Sequence, residues 1–144
     1  MNNTELLRSF LERERDWVLV LETVREHLRT TAGRATSHIQ WHAEISIGTH
    51  AWLGYYWQDP PFWFGYGLGP QGWLPVVDAS GRGCPLGVVM RLRDNLPHVW
   101  RDLDFSKKTY WRLWAPADMV DDTAVHIQWL QARSNELHEF LVEE

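Results

Sequence analysis

The chain has 144 residues, a formal net charge of −5, 44% hydrophobic residues and a single cysteine. That length suits one domain, able to bury ~70% of the surface its unfolded form exposes. The lone Cys84 excludes an internal disulfide and a zinc site built on paired thiolates, so a reducing cytoplasm is the expected setting.

The start, MNNTELLRSF, has no basic stretch leading into an apolar one, and runs such as Trp17 to Leu21 are too short to span a bilayer; the expectation is a soluble, unprocessed protein. Asn2 followed by Glu5 can cap a helix. The helix over residues 1–30 has the apolar stripe Leu7, Phe10, Trp17, Leu21, Val24 and Leu28, broadened by Leu11 and Val18 and interrupted by Glu14. This stripe reads as a core face, and a homodimer through the N-terminal helix is the alternative way to bury it. The polar stretch TTAGRATS then ends the helix at Gly33.

From His38 the period changes to two. Ile39, Trp41, Ala43, Ile45 and Ile47 alternate with His38, Gln40, His42, Glu44 and Ser46, which predicts a half-buried strand with Ile39, Trp41 and Ile45 inside and His38, His42 and Glu44 outside. Further strands are predicted over 51–58, 62–67, 73–78, 84–93 and 109–114, separated by the turn sequences QDPP, GPQG and ASGRG. Such short connections favour an antiparallel meander, because parallel strands need long crossovers. A short helix is expected from near Pro97. A closing helix over 119–142 has Asp121 or Asp122 at its cap and the stripe Ile127, Leu130, Leu137 and Leu141. The predicted fold is a single α+β domain: a long N-terminal helix, an aromatic-rich antiparallel meander of five or six strands within 38–114, and a C-terminal helix packed on the sheet.

Gly67, Gly69 and Gly72 form a literal G-x-G-x-x-G in PPFWFGYGLGPQGW. A dinucleotide fold needs the third glycine to open a helix, whereas Gly72 leads into the strand pattern Trp73-Leu74-Pro75-Val76-Val77. The stretch is therefore read as sheet, with its glycines letting a large neighbour such as Trp52 or Tyr56 lie across the strand. No cofactor is expected.

The seven histidines do not make a metal site in this pattern. On a strand His38 and His42 stand ~13 Å apart. His126 and His138 are more than three turns apart on the last helix, and no H-E-x-x-H occurs. Cys84 lacks any nucleophile signature and reads as a small apolar group. Asp78, Asp94, Asp102 and Asp104 fall in turns or on the short helix, and no G-x-S-x-G elbow is present, so no residue is read as catalytic.

The unusual feature is tryptophan: ten residues, eight of them from Trp41 to Trp114. Most would pack in the sheet. Two or three exposed rings are expected among Trp52, Trp57, Trp63 and Trp111, where they would anchor a protein partner. The charge pattern offers a second surface. Between Arg82 and Arg112 seven bases face three acids, a local balance of +4, and the remainder carries −9. Arg91, Arg93, Lys107, Lys108 and Arg112 could follow a nucleic-acid backbone while tryptophans stack bases.

The succession WLGYYWQDPPFWFGYGL, a leucine- and arginine-containing segment, YWRLWAP and the amphipathic AVHIQWLQARSNELHEFL resembles the accessory C-terminal region of some bacterial PD-(D/E)XK nuclease-superfamily proteins, over about residues 50–142. The nuclease signature itself is missing; Asp104-Phe-Ser-Lys107 is its nearest approximation. The resemblance implies a standalone, non-catalytic relative of a module found in phage and host conflict systems. Three readings follow. The first is a protein-binding inhibitor or adaptor in phage defence or counter-defence, of the anti-CRISPR kind. The others are a single-stranded nucleic-acid binder and a degenerate nuclease-family enzyme.

Overall fold

The computed structural model describes residues 3–31, 39–45, 51–58, 61–69, 72–80, 86–97 and 110–142. Helix α1 (Asn3–Thr31) precedes strands β1 (Ile39–Ile45), β2 (Ala51–Gln58), β3 (Pro61–Gly69) and β4 (Gly72–Ser80); helix α2 (Leu86–Asn95), strand β5 (Tyr110–Trp114) and helix α3 (Thr123–Val142) follow. The fold is α+β. Every strand pairs antiparallel with its sequence neighbour, in the order β1-β2-β3-β4-β5; the short connections favour this from β1 to β4, while β4 reaches β5 by way of α2.

Register sorts the side chains onto two faces. Tyr55 pairs with Phe64, Phe64 with Val77, and Ala79 with Trp111. These residues form one buried cluster with Leu53, Phe62 and Tyr66, with Trp17, Val20, Leu21, Val24 and Leu28 of α1, and with Val89 and Leu92 of α2 and Leu130, Leu137 and Leu141 of α3. The three helices thus share one face of the sheet. On the opposite face Trp63, Leu74, Val76 and Trp114 form a second buried cluster.

The α1 stripe is Trp17, Val20, Leu21, Val24 and Leu28, all buried in the chain's own core. Leu11, expected to broaden it, is 58% exposed, because the sheet and α3 cover an arc too narrow to reach it. A homodimer through α1 would therefore use the outer face and not this stripe. The side chains of Leu7, Phe10 and Glu14 lie outside the described residues, as do those of Ile39, Trp41, Ile45, His42 and Glu44, and all of His38, Cys84 and the segment following Pro97.

Of the strand expected over 84–93, the described residues 86–93 belong instead to α2. Leu86, Val88, Met90 and Leu92 alternate as a strand would, but the buried pair is Val89 and Leu92 while Met90 is exposed, which is the three-residue spacing of a helix. Packing against β5, β4 and the core decides between two periods that the sequence satisfies equally. Pro85, directly before the helix, suits that entrance.

The glycine triplet serves a hairpin. Gly69 pairs with Gly72 where β3 gives way to β4, and Gly72 has φ of +100°, a conformation that side chains rarely adopt. The aromatic lying across the strand glycines is Trp63, in place of the expected Trp52 or Tyr56. A Cβ on Gly54 would meet Trp63 Cζ2 at 2.4 Å, and one on Gly65 would meet its Cη2 at 2.8 Å, so the indole rests against this paired glycine couple. No helix among the described residues is long and apolar enough to cross a membrane.

Candidate functional site

Polar chemistry among the described residues concentrates where α1, β3 and the entrance to α3 meet. Asp122 caps α3: its Oδ1 accepts from the backbone N–H groups of Ala124 at 2.8 Å and Val125 at 3.4 Å. The cap fixes the first turn, so His126 points at the sheet and Asp121 at α1. Tyr66, 1% exposed, lies on the helix-covered face of β3, and its hydroxyl is 2.8 Å from His126 Nδ1. Asp121 Oδ1 stands 3.7 Å from His126 Nε2. Arg13 of α1 clasps the same carboxylate through both terminal nitrogens, at 2.5 and 2.8 Å. The Arg13 guanidinium also lies 5.6 Å above the Trp17 ring, and Trp17 stacks on Tyr66 with centroids 5.0 Å apart. The contacts form a closed ring, Tyr66 to His126 to Asp121 to Arg13 to Trp17 and back to Tyr66.

The protonation states follow from these neighbours. Burial pushes the Tyr66 phenol well above its ordinary range, so it remains a neutral donor. Burial, aided by Arg13, pulls His126 below its ordinary value of 6.5, against the opposing pull of Asp121 and Asp122. The neutral ring accepts from Tyr66 at Nδ1 and directs its Nε2–H toward Asp121, the tautomer this geometry favours. The hydrogen bond from Arg13 holds Asp121 below the usual carboxylate range and raises Arg13 itself.

A pH dependence follows, with a definite sign. A histidine kept neutral by the fold takes up a proton more readily when unfolded. Its contribution is fully present above 6.5 and falls away as pH drops from there toward the depressed folded value. Urea unfolding is expected to show stability falling as pH drops below about 6.5, and the His126→Gln variant should lose much of that slope. An unchanged slope in the variant would place the acid sensitivity elsewhere.

Two further polar clusters are intramolecular. The Tyr55 hydroxyl donates to Glu22 of α1, with Arg25 5.3 Å from the Tyr55 ring centroid; burial and then the Glu22 bond push the phenol up to about 12. On the opposite face Arg112 donates through Nε and approaches through Nη2, both 3.2 Å from Asp78 Oδ2. The two side chains are only 11% and 13% exposed. Asp78 and Arg112 are partners across the β4–β5 register, a pairing that residues 34 positions apart do not advertise in sequence.

Of the expected protein-binding tryptophans, Trp63 and Trp111 are buried, at 7% and 2% exposure. Trp63 fills the space over Gly54 and Gly65, and Trp111 enters the main core. Both are corrections. The Trp52 and Trp57 side chains lie outside the described residues, though in register Trp52 stands opposite Gly67 and Trp57 opposite Phe62. Of the expected phosphate-contacting bases, Arg112 is corrected to a structural ion-pair member. Arg91 is exposed on α2 with its guanidinium 5.0 Å from the Phe140 ring, and Arg93 is partly buried. Lys107 and Lys108 lie outside the described residues, as do Asp104 and Asp102.

The ring at Tyr66 was not legible in the sequence. His126 is visible there only as a failed metal ligand and Asp121 as a cap candidate, and nothing local ties either to Arg13 or Tyr66. Among the described residues no group of three or more His, Cys, Asp or Glu could hold a metal ion. Compared with models of protein families, with curated proteins and with solved structures, the chain has no match.

Proposed function

We propose that the chain is a non-catalytic module that binds another protein, a small cytoplasmic inhibitor or adaptor in prokaryotic phage defence or counter-defence. The phage setting follows the resemblance of residues 50–142 alone. The choice of a protein partner has separate support, in which apolar groups face outward. Among the described residues Trp63, Trp111 and Trp114 are buried and Trp73 and Trp129 half-buried, whereas the large exposed apolar side chains are Leu11, Leu19, Met90 and Val120, none of them aromatic. Single-stranded nucleic acid is held by stacking on exposed aromatic rings over a basic groove. Aliphatic side chains offer no such platform but suit the desolvated centre of a protein contact. Leu11 and Leu19 lie on the outer side of α1, rimmed by the exposed Arg8, Glu12, Arg15 and Glu22. Among the described residues the polar groups around Tyr66 are engaged with one another, and the Tyr66 hydroxyl and His126 ring are buried.

The test is affinity capture from the native host, comparing wild type with a Leu11→Asp, Leu19→Asp variant. Both positions are exposed on α1, so folding stability should fall by no more than about 1–2 kcal/mol, mostly from the lower helix propensity of Asp. A partner held through this face should be lost, since setting a carboxylate where a leucine was desolvated costs ~2 kcal/mol or more. Equal recovery of the same protein by both forms would exclude the α1 face as the docking surface.

A further inference from the structure

We propose that Trp73, Trp17 and Tyr66 form a relay that carries a one-electron oxidation from the protein surface to a buried phenol, with His126 as the base that takes the phenolic proton. The geometry supplies each part. Trp73 at the start of β4 is partly exposed, and its ring centroid is 4.8 Å from that of Trp17. Trp17 in turn stacks on Tyr66 at 5.0 Å, with only 25° between the ring planes. The three aromatic systems are thus in successive near contact, from the partly exposed Trp73 through Trp17 to the buried Tyr66. Tyr66 is the only member with a hydroxyl proton to give up, and it is the member with a ring nitrogen waiting at 2.8 Å.

The chemistry balances as a proton-coupled electron transfer. A strong one-electron oxidant, of the class of radicals derived from peroxide, removes one electron from Trp73 and is reduced. The vacancy passes to Trp17 and then to Tyr66 by electron movement in the opposite direction. As the phenol loses its electron, its O–H bond breaks and the proton moves to His126 Nδ1. The products are a neutral tyrosyl radical, an imidazolium and the reduced oxidant.

Three features favour this end point. An oxidised phenol is far more acidic than its parent and cannot persist as a buried cation, so a hydrogen-bonded base is required. His126 is neutral and able to accept, and Asp121 at 3.7 Å from Nε2 faces the charge it would gain. Arg13 holds its positive charge over the Trp17 ring, which disfavours a cation radical resting there and moves the vacancy onward. Among the described residues the charged groups around the site are Arg13, Asp121, Asp122 and the Asp16 carboxylate, 3.9 Å from Arg13 Nε.

Flash photolysis with a ruthenium polypyridyl sensitiser and a sacrificial acceptor tests the relay, read by transient absorption and electron paramagnetic resonance. Wild type is expected to yield a tyrosyl radical, and so is a Tyr55→Phe, Tyr56→Phe, Tyr110→Phe variant that retains every relay residue. Tyr66→Phe should lose that signal and leave oxidation on tryptophan. His126→Gln should form the tyrosyl radical roughly 10²-fold more slowly, the lower end of what a positioned proton acceptor contributes. Near-ultraviolet circular dichroism establishes that each variant is folded. Survival of the tyrosyl signal in Tyr66→Phe, its loss in the triple variant, or an unchanged rate in folded His126→Gln would overturn the proposal.

Discussion

Gly65→Ala is expected to destabilise the protein by about 3 kcal/mol or more, the upper end of what overpacking a filled site costs. An added Cβ would sit 2.2 Å from the Leu53 carbonyl oxygen and 2.6 Å from Gly54 Cα, both backbone atoms of the neighbouring strand, besides 2.8 Å from the Trp63 ring. Flexible side chains can move aside. Backbone paired through a ladder cannot, short of parting β2 from β3, and the Trp63 indole is confined with Leu74, Val76 and Trp114. Against a total stability of ~5–15 kcal/mol for a domain, such a loss approaches unfolding. Gly87→Ala is the control: a Cβ there meets nothing within 4 Å, and its place in α2 should make the change neutral or stabilising by up to ~1 kcal/mol. Urea midpoints measure both. A Gly65→Ala variant as stable as wild type would mean that Trp63 does not rest on the glycine pair.

Arg112→Ala is expected to have a comparable effect for an electrostatic reason. Asp78 is 9% exposed, and its carboxylate faces the guanidinium 3.2 Å away. Removing the cation takes the guanidinium from a buried carboxylate that stands opposite Trp63 in register, and losing one partner of a buried pair costs ~3 kcal/mol or more. Replacing both, as Asp78→Leu with Arg112→Met, should restore most of that, because well-packed apolar groups of similar volume often equal a buried ion pair. Equilibrium unfolding of the two singles and the double makes a complete cycle. If Arg112→Ala were harmless, the side chain would be free for a ligand and the nucleic-acid reading would regain one of its bases.

The parts of this molecule legible in the sequence are those specified by local period and turn chemistry. The two-residue alternation after His38 and the turns at Pro60 and Gly69 mark β1 to β4, and the stripe Leu130, Leu137, Leu141 marks α3. The segment 84–93 was misread because alternation and helical spacing coexist in LGVVMRLR, and the choice is made by what Val89 and Leu92 pack against. The burial of Trp63 is not legible in the sequence because it depends on register. Trp63 and Gly65 share a face by alternation, but only the pairing of Gly65 with Gly54 creates the flat bed that lets an indole lie down. The Tyr66 ring of contacts joins the i,i+4 pair Arg13 and Trp17 of α1 to Tyr66 of β3, Asp121 before α3 and His126 within it, and no spacing rule relates residues so far apart across those segments.

Recognition of a protein and not of nucleic acid is tested most directly by fluorescence anisotropy of labelled oligo-dT titrated with the intact chain at physiological salt. With Trp63, Trp111 and Trp114 buried and Arg112 held by Asp78, no binding is expected at micromolar protein, and lowering the salt should reveal at most weak association with the exposed bases. Micromolar or tighter binding, with affinity falling by a log–log slope of ~−0.7 per phosphate contact as salt rises, would contradict the account.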